Sequence, residues 1–77
     1  MRSVRRVFEK IRAKNPLWSS YLCFAEAVRG KHFSRRTILK NFNALVDEKD
    51  YARNEKKEII DLLVELSESS GGMPILA

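Results

Sequence analysis

Four times along this chain a capping residue precedes apolar side chains spaced three and four apart, and no stretch alternates apolar with polar. Spacing of three and four places side chains on one face of an α-helix, whereas alternation would mark a strand. The chain is therefore restricted to helices that each bury a stripe. In the first, Val4, Val7, Phe8 and Ile11 share a face, Ser3 supplies the N-cap, and Asn15-Pro16 ends the run, since a residue before proline avoids helical backbone. Ser19 opens the second, whose apolar side is Tyr21, Leu22, Phe24, Ala25 and Val28. Arg29 suits the last turn and Gly30 the left-handed position after it. Ser34 caps the third, with Phe33 and Ile38 placed as a hydrophobic staple and Ile38, Leu39, Phe42, Leu45 and Val46 as its apolar set. The fourth starts near Asn54, with Asp50 as a competing cap. Its Ile59, Ile60, Leu62, Leu63, Val64 and Leu66 spread over roughly 200° of the wheel, wider than a one-sided surface helix needs.

These signals predict an all-α, compact four-helix domain with helices near 3–14, 19–29, 34–46 and 54–67, and a core of Val7, Phe8, Ile11, Leu22, Phe24, Val28, Ile38, Phe42, Leu45, Ile59, Leu62, Leu63 and Leu66. Residues 1–67 form the single domain. Residues 68–77 contain Ser-Gly-Gly, lack periodicity and read as a flexible tail, in which Met73-Pro74-Ile75-Leu76 could dock locally. A chain of 77 residues excludes doubly wound sheets, barrels and multi-domain enzymes. One cysteine, Cys23, excludes an internal disulfide and reads as a small buried apolar residue. One Cys and one His, His32, do not complete a zinc site, and no cofactor is implied. No apolar run nears the ~20 residues of a membrane span, and no signal-peptide core follows the basic N-terminus, so the expected compartment is the cytoplasm.

Charge is unevenly distributed. The net charge of +5 arises from +9 over residues 1–46 and −4 over residues 47–77. No Asp or Glu occurs between residues 27 and 46. Such polarity points to an anionic partner for the basic part, although the two halves could equally neutralise each other in the fold.

The third helix concentrates the chemistry. With Arg36 set at 0°, Lys40 falls at about 40°, Ala44 at about 80°, Thr37 at about 100° and Asn41 at about 140°, while the apolar residues centre near 240°. One face is core, and the other offers Arg, Lys, Thr and Asn around a small Ala. Arg and Lys can contact guanine or phosphate, and Asn can pair with adenine in the major groove. The helix N-terminus, at Ser34 and Arg35, adds free N–H groups suited to phosphate. Arg5, Arg6 and Lys31 would add backbone contacts.

The segment Phe33-Ser34-Arg35-Arg36-Thr37-Ile38, with Leu45 and Val46 further in, resembles the recognition-helix opening of helix-turn-helix DNA-binding domains in bacterial transcription regulators. The resemblance covers residues 19–46 at most. It implies that helices two and three form a helix-turn-helix-like pair, that Arg35, Arg36, Thr37, Lys40 and Asn41 contact DNA, and that Ile38 anchors the helix in the core. The chain departs from the pattern in its longer Gly30-Lys31-His32-Phe33 turn, in the five-residue spacing of Ala25 and Gly30, and in lacking a β-hairpin wing.

The expected function is therefore a small basic DNA-binding regulator or accessory factor, with RNA in place of DNA left open by the sequence. A homodimer through Ile60 and Val64 would let it span two half-sites. The competing expectation is a helical protein-interaction module that uses the apolar, acidic fourth helix. No Ser/His/Asp or Cys/His arrangement and no glycine-rich phosphate loop points to an enzyme.

Overall fold

The computed structural model describes residues 3–69 and builds four α-helices, α1 (Val4–Lys14), α2 (Ser20–Val28), α3 (Arg35–Leu45) and α4 (Lys56–Glu68). Short 3-10 turns at Glu48–Asp50 and Arg53–Glu55 link α3 to α4, and there is no strand among the described residues. The all-α, four-helix expectation holds. The helix predicted to end at 67 runs through Glu68. Residues 70–77 of the expected tail, with Met73–Leu76, lie outside the described residues.

Three serines start three helices in the same way. The Ser3 hydroxyl accepts from the Arg6 N–H at 3.1 Å, Ser19 from Leu22 at 3.2 Å and Ser34 from Thr37 at 3.2 Å. Each satisfies a first-turn donor that the helix itself cannot. The fourth start differs from expectation. Asn54 lies within a 3-10 turn, and α4 begins at Lys56 without a side-chain cap. Asp50, the competing cap, serves another element instead. Its Oδ2 accepts from the Ser20 N–H at 3.0 Å and from the Ser20 hydroxyl. The Ser20 hydroxyl in turn accepts from the Asp47 N–H at 2.8 Å. One serine on α2 thereby fixes both ends of the turn that leaves α3.

The core comprises Val4, Phe8, Cys23, Phe24, Ala27, Val28, Ile38, Phe42, Val46, Ile60 and Leu63. Phe42 is its centre, edge-on to Phe24 (centroids 5.7 Å apart) and to Tyr51 (4.9 Å). Cys23 is fully buried, as its size suggested. Two residues expected in the core are not there: Leu22 is 51% exposed and Leu62 is 58% exposed. The reason is rotational. Cys23, Phe24, Ala27 and Val28 define the buried side of α2, and Leu22 falls on the opposite side at 100° per residue. On α4 the buried line is Ile60, Leu63 and Ser67, which turns Leu62 outward. Val7, Ile11, Leu45, Ile59 and Leu66 pack half-buried around the core edge. Ile60, expected on a dimer face with Val64, is 3% exposed and belongs to the core, so it offers nothing to a second chain. Val64 is half-buried.

The connection from α2 to α3 is pinned to the end of α4. The N–H groups of Gly30 and His32 donate to the carbonyls of Leu66 (3.0 Å) and Ser67 (2.8 Å), and the Phe33 N–H donates to the Ser67 hydroxyl at 2.7 Å. Carbonyls in a last helical turn lack partners within the helix, and here the loop supplies them. Gly30 and His32 take left-handed backbone, with φ of 64° and 58°, to aim those donors. Left-handed backbone is ordinary for glycine and uncommon for histidine. This clamp sets where Ser34 stands and hence where α3 begins.

Candidate nucleic-acid interface

The polar side of α3 is open to solvent, with Arg36, Lys40 and Ala44 all exposed on successive turns. Arg36 and Lys40 have no ion-pair partner among the described residues. Lys40 lies one turn after Arg36 and about 40° round the axis, so both cations leave the helix on the same side. Ala44 continues this line with a small side chain, which lets a flat or convex surface approach the backbone.

The other expected contacts on α3 are already used by the fold. Arg35 bends away from the outward face and binds the Asp61 carboxylate on α4, which Lys57 also contacts at 3.4 Å. Asn41 is half-buried, and its Nδ2 donates to the Thr37 carbonyl at 2.8 Å. Pairing with adenine needs both its carbonyl and amide groups pointing outward. The Ser34 hydroxyl donates to the Thr37 hydroxyl at 3.0 Å while accepting from the Thr37 N–H. Ser34 and Thr37 therefore build the helix start, and their exposed edges lie beside Arg36.

The remaining expected cations are on other elements. Arg5 sits 4.0 Å from Glu9 on α1, a weak, exposed contact. Arg6 is exposed and has no ion-pair partner among the described residues. Lys31 is half-buried in the loop that precedes Ser34. Arg12, in the last turn of α1, lies over the Phe8 ring, 5.8 Å from its centre.

Two carboxyls respond to these neighbours. Hydrogen bonding from the Arg35 guanidinium, then from Lys57, holds Asp61 below the ordinary carboxylate range. The Ser20 hydroxyl does the same for Asp50, assisted by the Ser20 N–H and the charges of Lys49 and Arg12. Sequence reasoning missed both anchors, and Ser67 as well, because each joins residues far apart in the chain.

No group of three or more His, Cys, Asp or Glu side chains is placed to hold a metal among the described residues. No described helix is long and apolar enough to cross a membrane. No family model, curated protein or solved structure matches the chain.

Proposed function

We propose that this chain is a small DNA-binding protein, acting as a regulator or accessory factor, that lays the outward face of α3 against the duplex. The observation that carries this reading is the pair Arg36 and Lys40. They are exposed, one turn apart and free of anionic partners among the described residues. They stand on a segment, residues 27–46, without a single Asp or Glu. Ser34 and Thr37 place the positive end of the α3 dipole beside them. Phosphate contacts would supply most of the affinity, and the guanidinium of Arg36 is the group suited to reading a guanine edge.

The test is a fluorescence-anisotropy titration of labelled duplex DNA at several salt concentrations. Each neutralised phosphate contributes about −0.9 to the slope of log K against log salt. Replacing both cations, Arg36→Ala with Lys40→Ala, should reduce that slope by roughly 1.8. Arg35→Ala should change it less, because Arg35 is held by Asp61. Absence of binding at low salt, or a slope untouched by the double variant, refutes the reading. Equal or tighter binding to RNA of the same length moves the partner from DNA to RNA.

A further inference from the structure

We infer that the outer face of α4, with the groove it forms against α2, docks a basic amphipathic helix of a partner protein. Ile59, Leu62 and Leu66 recur at spacing three and four along this face, and Leu62 is 58% exposed. Tyr21 and Ala25 of α2 form the facing wall of a groove of about 400 Å³ over Leu62, Leu63 and Leu66. A second hollow of about 490 Å³ continues past Leu62 along Ile59 toward Glu55. From Ile59 to Leu66 the strip extends about 10 Å, two helical turns, the span read by anchors at i, i+3 or i+4, and i+7 of a docked helix.

The charges around this strip choose among its occupants. Glu55, Glu58 and Glu65 flank it, all exposed and none in an ion pair among the described residues. Asp61, the neighbouring acid turned toward α3, is neutralised by Arg35 and Lys57. Three uncompensated acids of a chain with net charge +5 thus border the exposed Leu62. A second copy docked by two-fold symmetry would oppose one acidic border with another, which like charges disfavour. Residues 70–77 of the chain contain no Lys or Arg to complement those acids. A helix with an apolar stripe between Lys and Arg satisfies both the strip and its borders.

The experiment titrates the isotope-labelled full chain with two synthetic helical peptides of identical apolar stripe, one flanked by Lys and Arg and one by Glu, and follows amide shifts by NMR. The basic peptide should bind at least about tenfold more tightly than the acidic one, about 1.4 kcal/mol. Its shifts should cluster at Tyr21, Ile59, Leu62 and Leu66. Leu62→Asn, and separately Glu58→Lys with Glu65→Lys, should each weaken it by about tenfold or more. These positions are exposed, so circular dichroism should show both variants folded. Indistinguishable peptides, or shifts confined to α3, overturn the inference. So does a Leu62-dependent dimer in sedimentation, which would give the face to a second copy. Tighter peptide binding by Ile75→Glu with Leu76→Glu would give it to the chain's own end and also overturn the inference.

Discussion

Replacing Ser67 by alanine should destabilise this domain more than its size suggests. The side chain is fully buried and accepts the Phe33 N–H at 2.7 Å. Alanine fits the same space, so packing barely changes while a partly buried donor loses its acceptor. Leaving such a donor unmade costs about 1–3 kcal/mol. For a domain of this length that corresponds to a fall in melting temperature of roughly 5–20 °C. Ser69→Ala is the matched control, since Ser69 donates to the Leu66 carbonyl at 2.9 Å beside the described end of α4. Its expected cost is within about 0.5 kcal/mol. Thermal and urea unfolding followed by circular dichroism measure both. Hydrogen exchange adds a local test: the amides of His32 and Phe33 should be deprotected in Ser67→Ala well before those of α1. A Ser67→Ala chain as stable as the Ser69→Ala control, or one in which exchange quickens uniformly, would refute the view that this hydroxyl holds the α2–α3 connection.

Three further outcomes follow from the same contacts. Asp61→Asn releases Arg35 toward solvent, so DNA binding should tighten and the salt slope should steepen by up to about 0.9; unchanged or weaker binding in the anisotropy titration would show that Arg35 stays unavailable. Asp50 and Asp61 both have lowered pKa values, so the unfolded chain takes up protons at higher pH than the folded one. Their stabilisation is complete above the ordinary carboxylate value of about 3.9 and is lost as pH falls through the lowered folded values. Melting temperatures measured down this acid range should fall less steeply for Asp50→Asn with Asp61→Asn than for the parent chain. Phe42→Ala empties the ring site between Phe24 and Tyr51 at a cost of about 3–5 kcal/mol, enough to consume most of the stability of a domain this small. A cooperative melt surviving that substitution with little shift would contradict the central place given to Phe42.

Helix existence, helix order and three of the four starts were legible because their causes are local. A serine hydroxyl reaching the N–H three residues on, or a proline closing a run, needs no tertiary partner. Leu22 and Leu62 were misplaced because α2 and α4 are apolar around much of their circumference, so periodicity alone does not choose the buried side. That choice comes from packing: the small Cys23 and Ala27 turn toward the core, and the polar Ser67 sits on the buried line of α4 because the α2–α3 connection needs its hydroxyl. Residues 47–50 are all charged, which in sequence gives no sign of a partner, yet Asp47 caps its own turn and Asp50 receives Ser20, thirty positions earlier. The competing start of α4 after Asp50 is not used for the same reason, since that acid is engaged by Ser20.

The α3 surface shows the same distinction in its chemistry. Its sequence offers Arg35, Arg36, Lys40 and Asn41 as equivalent DNA contacts, but a side chain's capacity to bind is separate from its availability. Asp61 takes Arg35 and the Thr37 carbonyl takes the amide of Asn41, leaving Arg36 and Lys40. Two cations neutralise at most two phosphates, whereas tight DNA binders make roughly 6–10 such contacts. Regulator-grade affinity by this face alone would therefore fall short. On the DNA-binding proposal, additional contacts would come from Lys31, from α1 cations such as Arg6, or from a second protein held beside the duplex. The acid-bordered strip on α4 suits the last route where the docked helix carries cations beyond those that meet Glu55, Glu58 and Glu65. The two proposals then become separable by salt and by partner. DNA binding by the chain alone should be weak with a shallow salt slope, and it should strengthen in the presence of a helix that Leu62→Asn no longer captures.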